Sequence, residues 1–260
     1  MPHNNFSNYL NDRHVAITDG VFAIAMTILA LEISVPAVTD ITSGVALNAY
    51  VMNYLAPAVL IYFISFYLVY NFWETTTILF CFEKISNNVL LLNMVTLASV
   101  CLIPFATGFL FELYKFTEVN ILFSSLILAI SLLYILMFIL LIRNNFKGYF
   151  ERKDEIKATI NKELDSYEDG IELENLKIYI KGVTKTVFYL LLSPVISSII
   201  SIILAFISPG LSIASFLLVL ILRFIIRMRR GRKDNLEDIE LSEDEKEFIN
   251  NVRCSIYGEE

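Results

Sequence analysis

The sequence predicts an all-α, polytopic membrane protein with six transmembrane helices. Of its 260 residues, 56% are hydrophobic, and the mean hydropathy is +0.63. Only 18% are charged, whereas soluble domains carry roughly 25%. The charged residues also leave long uncharged runs between them. This composition excludes a disordered chain, and a chain so apolar, with a net charge of -7, argues against nucleic acid as a partner.

Each predicted span is a largely uncharged run of about 20 residues, which is the length that crosses an apolar core of about 30 Å. The run between Lys185 and Arg223 would form a helix of about 55 Å, too long for one span. Ser208-Pro209-Gly210 divides this run, because proline and glycine together interrupt helices. The predicted spans, numbered first to sixth, are 14–36, 51–73, 88–111, 119–142, 183–207 and 211–229.

The positions of the basic residues predict that both termini are cytoplasmic. Of the 20 Lys and Arg residues, only Lys115 lies in a predicted outer loop, whereas eight lie in residues 143–182. The predicted organisation is therefore four spans in 1–142, a charged and partly helical cytoplasmic loop in 143–182, two spans in 183–229 and an acidic cytoplasmic tail in 230–260. We expect the chain to lie in the cell membrane.

The side chains that usually carry chemistry are few and scattered. The cysteines and histidines have no spacing typical of a disulfide framework or a metal site: Cys81, Cys101, Cys254, His3 and His14. No catalytic or phosphate-binding motif is present, and no TVGYG-like potassium filter. We therefore expect no enzyme activity, no cofactor and no tightly bound metal. Composition and motifs alone leave a channel, a transporter and a membrane scaffold open.

The first span differs from the others because two stripes share its surface. Small residues follow one face, and bulky apolar residues follow the adjacent face. The small stripe is Gly20, Ala23, Thr27, Ala30 and Ser34, and the bulky stripe is Ile24, Ile28, Leu31 and Val35. Such stripes are typical of close helix packing. They equally suit a helix packed around an axis, with bulky side chains meeting in a constriction.

Polar residues mark both ends of the first span. Arg13 and Asp19 lie near the predicted cytoplasmic edge. They are either a snorkelling arginine and a helix N-terminal acid, or partners of Asn93 and Trp73 on the neighbouring spans. Trp73 alone also fits an interfacial aromatic belt. At the outer end, Glu32 is either a solvated carboxylate or a charge that concentrates cations.

The first span resembles the RxxxFSDGVFAIA signature of the lysosomal potassium channel family, transmembrane protein 175, and its prokaryotic single-repeat members. Here the motif reads Arg13-x-x-x-Ile17-Thr18-Asp19-Gly20-Val21-Phe22-Ala23-Ile24-Ala25. The similarity continues in Leu31-Glu32-Ile33, Pro36, Ser65-Phe66 with Trp73, and Leu92-Asn93 followed by Pro104-Phe105-Ala106-Thr107. Two departures stand out: Ile17-Thr18 replaces the family's Phe-Ser, and Thr76-Thr77 occupies the position of a His-His pair.

The resemblance implies a homotetramer of six-helix subunits in the lipid bilayer, with the first span lining a central pore that conducts potassium passively. By motif position, Ile24, Ile28 and Leu31 form a hydrophobic constriction and gate. Ile24 and Thr27 select the ion, with potassium passing transiently near Thr27. The implied interhelical network consists of Arg13, Thr18, Asp19, Trp73 and Asn93. The alternatives are a secondary transporter and a proton-permeable or poorly selective cation channel.

Overall fold

The structure is a computed structural model that describes residues 3–33, 44–80, 86–163 and 169–231. These residues form helices joined by short turns: α1 His3–Leu31, α2 Gly44–Tyr50, a π-helical turn Val51–Leu55, α3 Ala56–Phe80, α4 Asn87–Val100, α5 Leu102–Leu113, α6 Thr117–Glu163, α7 Asp169–Ala205, α8 Pro209–Ala214 and α9 Leu217–Gly231. The small-stripe residue Ser34 and positions 232–260 of the predicted tail lie outside the described residues.

Six segments within these described ranges are long and apolar enough to cross a membrane, which confirms the predicted all-α architecture. They are Arg13–Leu31, Leu47–Phe80, Asn87–Leu113, Thr117–Arg143, Lys185–Ala205 and Pro209–Ile226. We refer to them as the first to sixth spans.

The second span is longer than its sequence pattern predicts. Its helix continues through the π-helical turn into α3 and ends at Phe80 rather than at residue 73. The predicted end was set by the charge of Glu74, but that carboxylate is only 9% exposed and forms an ion pair with Arg223 of the sixth span. Because the charge is paired inside the bundle, it does not terminate the helix.

The third span is interrupted by a turn at Cys101, between α4 and α5. Pro104 lies three residues later; it has no N–H to give to the Val100 carbonyl, and its ring clashes with that carbonyl. Beyond the interruption, Thr107 Oγ1 donates to the Ile103 carbonyl at 2.8 Å. The two halves together span Asn87–Leu113.

The fifth and sixth spans are separated where the sequence predicts a break. The helix α7 ends at Ala205, and α8 begins at Pro209. Proline suits the first turn of a helix, because the N–H that it lacks would have no partner there. The long helices α6 and α7 also extend beyond the fourth and fifth spans into residues 143–182.

Serine side chains join the fourth, fifth and sixth spans. Ser124 Oγ and Ser201 Oγ are 2.7 Å apart, and Ser201 Oγ is 2.8 Å from Ser212 Oγ. Ser212 Oγ also donates to the Ser201 carbonyl at 2.9 Å. Small hydroxyl side chains let membrane helices approach closely and bond across the contact. A continuous buried serine cluster therefore joins these three spans.

The second span occupies the middle of the bundle, in contact with the first, third, fourth and fifth spans. The first span packs against the second and third spans, and the sixth span packs on the fifth. The core between the spans is filled mainly by large apolar and aromatic side chains, among them Phe22, Phe72, Phe123, Tyr134 and Phe216. The first span therefore lies at the edge of this bundle.

Candidate functional site

The first span is the least covered of the six. Within its 18-residue apolar stretch, only 22% is buried inside the chain, compared with 33% to 50% for the corresponding stretches of the other spans. One side packs against the second and third spans through Thr18, Phe22, Ala25 and Leu29, all buried. The opposite side is exposed along its length and carries both predicted stripes: Gly20, Ala23, Ile24, Thr27, Ile28, Ala30 and Leu31.

The predicted constriction residues lie on this exposed face. Ile24 is 60% exposed and Leu31 is 82% exposed, although both side chains are strongly apolar. Seven residues make nearly two helical turns, so Ile24 and Leu31 lie almost in line along the helix. Ile28 lies beside them and is also exposed. The chain alone therefore leaves this apolar ridge without cover.

Thr27 lies on the same face, and its hydroxyl is oriented by its own helix. Thr27 Oγ1 donates to the Ile24 carbonyl at 2.8 Å. Because the single hydroxyl proton is directed at the backbone, the oxygen lone pairs remain available to a positively charged group.

Two hydrogen bonds tie the first span to its neighbours, one at the exposed Asp19 and one at the buried Thr18. Trp73 Nε1 on the second span donates to Asp19 Oδ1 at 2.9 Å. Asn93 Nδ2 on the third span donates to Thr18 Oγ1 at 3.1 Å, and Thr18 in turn donates to the His14 carbonyl at 2.8 Å. The structure thus brings together four of the five residues of the implied network.

Arg13, the fifth residue of that network, is exposed at the start of the first span. Its part in the network stays a prediction, as do the functional roles of the other four residues. Ile17, which replaces the family phenylalanine, is 52% exposed. It lies on the same side of the helix as Ile24, two turns earlier.

The Thr76-Thr77 departure leaves a polar contact of a different kind. Thr76 Oγ1 donates to the Phe72 carbonyl at 2.9 Å and lies 2.6 Å from the Tyr134 hydroxyl of the fourth span. Thr77 Oγ1 donates to the Trp73 carbonyl at 3.1 Å. Thr76 is therefore bonded to its own helix and in contact with a tyrosine of the fourth span.

Glu32, at the far end of the first span, is directed at the third span. A Cβ atom added to Gly108 would lie 2.5 Å from Glu32 Oε2, so the carboxylate lies close against the Gly108 backbone. Glu32 is half-buried. Its proposed influence on cations at the outer mouth stays a prediction.

Sequence reasoning missed the polar contact between Glu74 and Arg223. Arg223 is 3% exposed, its Nη1 pairs with Glu74 Oε2, and its Nη2 donates to Thr75 Oγ1 at 2.8 Å. Arg223 lies inside the predicted sixth span, and an arginine within a span requires a partner. Glu74 lies at the same predicted edge, so each charge on its own was a signal, but the sequence pattern did not pair the two residues.

Among the described residues, no group of three or more His, Cys, Asp and Glu side chains could hold a metal ion. The polar side chains of the bundle instead form contacts between spans, and the exposed face of the first span is apolar apart from Thr27. The arrangement is that of a multi-pass helical membrane protein with one exposed, largely apolar helix face.

Comparison with known proteins shows which family the chain is similar to. The sequence model of the endosomal/lysosomal potassium channel TMEM175 matches residues 13–104, which confirms the resemblance predicted from the first three spans. The fold is similar to the crystal structure of a lysosomal potassium-selective channel TMEM175 homologue from Chamaesiphon minutus. The TM-score is 0.60 at 22% identity, over 84% of this chain and 98% of that chain. No curated protein matches the sequence.

At this identity the structural likeness establishes a shared fold. The matched region contains the first two spans and the third span as far as Pro104, and thus all the site residues predicted from the sequence. Both the family and the solved structure are ion channels rather than enzymes. This agrees with a sequence that carries no catalytic motif.

Proposed function

We propose that the protein is a potassium channel of the cell membrane that assembles as a homotetramer around the first span. The family match over residues 13–104 and the shared fold with a potassium-selective channel support this function. The observation that carries the proposal is the exposed face of the first span, which combines small residues, an apolar ridge and one hydroxyl.

A face directed only at lipid has no need of small residues, because lipid tails adapt to bulky side chains. Gly20 and Ala23 are exposed beside the ridge, and small residues allow helix backbones to approach closely. Four copies of the first span around an axis would bring four Ile24 side chains together. A ring of such side chains excludes water and gates ions by dewetting.

Thr27 supplies a polar group next to this apolar ring. Four copies would offer four hydroxyl oxygens to a partly dehydrated cation, about one turn from Ile24. Potassium gives up its water more easily than sodium, so such a ring favours potassium. Conduction is passive, so the proposed channel needs no cofactor and binds potassium only transiently.

The experiment is an ion-flux assay with the purified protein in liposomes, comparing potassium with sodium. Ile24→Asn replaces the apolar ring with amides that substitute for ion hydration. We expect potassium flux to rise roughly tenfold, the effect of lowering a barrier by about 1.4 kcal/mol, and the preference for potassium to fall. Thr27→Val keeps the shape and deletes the hydroxyl, so the preference should weaken while assembly persists.

Two matched controls separate a pore role from a general effect of the substitution. Ser125 is exposed on the fourth span and donates to the Leu122 carbonyl at 2.8 Å, as Thr27 does to Ile24. Ile203 on the fifth span is 59% exposed, close to the value for Ile24. Ser125→Ala and Ile203→Asn should leave the ion preference unchanged.

Parental ion preference in both Ile24→Asn and Thr27→Val would exclude the first span as the filter. Potassium movement coupled in fixed ratio to a second ion would favour a secondary transporter instead. A pH-sensitive dye inside the liposomes distinguishes proton permeation from potassium selectivity.

A further inference from the structure

The second span carries two neighbouring side chains that contact different spans. Trp73 Nε1 donates to Asp19 on the first span, and Glu74 pairs with Arg223 on the sixth span. Consecutive residues of an α-helix point about 100° apart. One turn of the second span is therefore held from two sides, and a rotation at this turn would move both contacts.

The Arg223 side chain contacts one face of the second span over a full helical turn. Its Nη1 pairs with Glu74, its Nη2 donates to Thr75 Oγ1 at 2.8 Å, and the same Nη2 reaches the Asn71 carbonyl at 3.5 Å. Residues 71, 74 and 75 have the i, i+3, i+4 spacing that places side chains on one helix face. The forked guanidinium thus fixes the orientation of that face as well as its distance.

Bundle stability alone does not require such a pair. Replacing a buried ion pair with apolar residues is often neutral or stabilising, and ionisable residues inside membrane spans commonly mark functional sites. The sixth span already packs on the fifth through the serine cluster of Ser201 and Ser212. What Arg223 adds is a defined rotational setting for the second span.

We propose that Arg223 is a positioning residue for the first span. By holding Glu74, it fixes the second span at the rotation that places the Trp73 indole against Asp19. Its link to conduction rests on the proposed function, in which the first span lines the pore. The hydrogen bond from Asn93 to Thr18 remains when this contact is lost, so the first span is loosened rather than detached.

The chain contains a single tryptophan, so its fluorescence reports on Trp73 alone. The informative variant is the double replacement Arg223→Met with Glu74→Leu, which removes both charges and leaves none buried without a partner. Asp19→Leu deletes the acceptor and supplies the reference emission of an indole without this hydrogen bond. Ser212→Ala is the control, because it removes a buried contact of the sixth span away from Trp73.

We expect the double variant to fold with parental thermal stability and to shift its emission towards that of Asp19→Leu. The control should keep the parental emission. In the liposome assay, the double variant should raise potassium flux roughly threefold. This is the factor that corresponds to the free energy of one hydrogen bond within a membrane. The preference for potassium over sodium should stay at its parental value, because Ile24 and Thr27 are untouched.

Parental emission in a folded double variant would overturn the proposal, whatever the flux. A shifted emission with unchanged flux, in a preparation whose parent conducts, would overturn the link to the pore. If the parent carries no potassium, the proposed function fails, and the emission still tests the coupling between spans. If the double variant does not fold, Arg223→Lys takes its place: a point charge retains Glu74 but loses the forked contact with Thr75, so the same shift should appear with smaller amplitude.

Discussion

Tyr134 of the fourth span is fully buried beside Thr76 of the second span. Its ring stacks on Phe72, with the centroids 5.4 Å apart. Thr76 has one hydroxyl proton, and this proton is donated to the Phe72 carbonyl. The Tyr134 hydroxyl is therefore the donor in the contact between the two side chains. The second and fourth spans share a neutral hydrogen bond here.

A double-mutant cycle measures that bond. Tyr134→Phe leaves Thr76 bonded to its own helix, so we expect a loss of about 0.5–1.5 kcal/mol in the free energy of unfolding. Thr76→Val leaves a buried phenol without a partner and should cost about 1–3 kcal/mol. The double variant should lose less than the sum of the two, measured by denaturant titration in detergent micelles. Strict additivity would show that the two hydroxyls contribute independently.

At the scale of the helices, the first span stands apart because its inner side is packed and its outer side is not. The inner side is buried against the second and third spans, whereas Ala23 and the apolar ridge around Ile24 are exposed. A substitution on the outer side should therefore spare the subunit and affect what the subunit packs against.

Ala23→Leu tests this separation. The added side chain meets nothing within the subunit, where Ala23 is exposed, but it would widen the contact between neighbouring copies. We expect a folded monomer with parental helix content, and loss of the tetramer in multi-angle light scattering, with at least a tenfold loss of flux. Ala129→Leu, at an exposed alanine of the fourth span, is the control and should assemble normally. Intact tetramers with parental flux in Ala23→Leu would contradict the packing role.

The six spans and the break between the fifth and the sixth could be predicted, because hydropathy and helix-breaking residues act locally. Ser208-Pro209-Gly210 separates two spans, as its residue types dictate. The end of the second span could not be placed, since Glu74 becomes compatible with a helix interior only when Arg223, far away in the sequence, contacts it. A local pattern reports the cost of a charge but does not identify its partner.

The candidate site likewise has one part that the sequence pattern predicts and one part that depends on helix packing. The stripe of Ile24, Ile28 and Leu31 follows from helical spacing, and the structure places all three on one exposed face. The contacts of Asp19 with Trp73 and of Thr18 with Asn93 join different spans. The family motif implied which residues take part in these contacts. Which residue bonds to which depends on how the three helices pack, and a local pattern does not contain that information.

At the scale of the whole molecule, the distribution of basic residues predicts the orientation of the bundle in the membrane. The fourth span runs between Lys115, in a predicted outer loop, and Arg143, at the start of the basic region 143–182. Both side chains are exposed, so both positions are accessible to reagents. Lys and Arg are retained on the cytoplasmic side during insertion, which predicts that the Arg143 end lies inside.

Cysteine labelling at these two positions tests the orientation of the whole chain. The native cysteines at 81, 101 and 254 are first replaced by serine, and Lys115→Cys and Arg143→Cys are then made separately. An impermeant maleimide added to intact cells should label the Lys115→Cys protein, and it should label the Arg143→Cys protein only after the membrane is opened. The even number of spans then places the two termini on the Arg143 side, so the Trp73–Asp19 contact lies towards the cytoplasm and Leu31 towards the outside. External labelling of Arg143→Cys would reverse this assignment and place the entrance to the proposed pore at the opposite end of the first span.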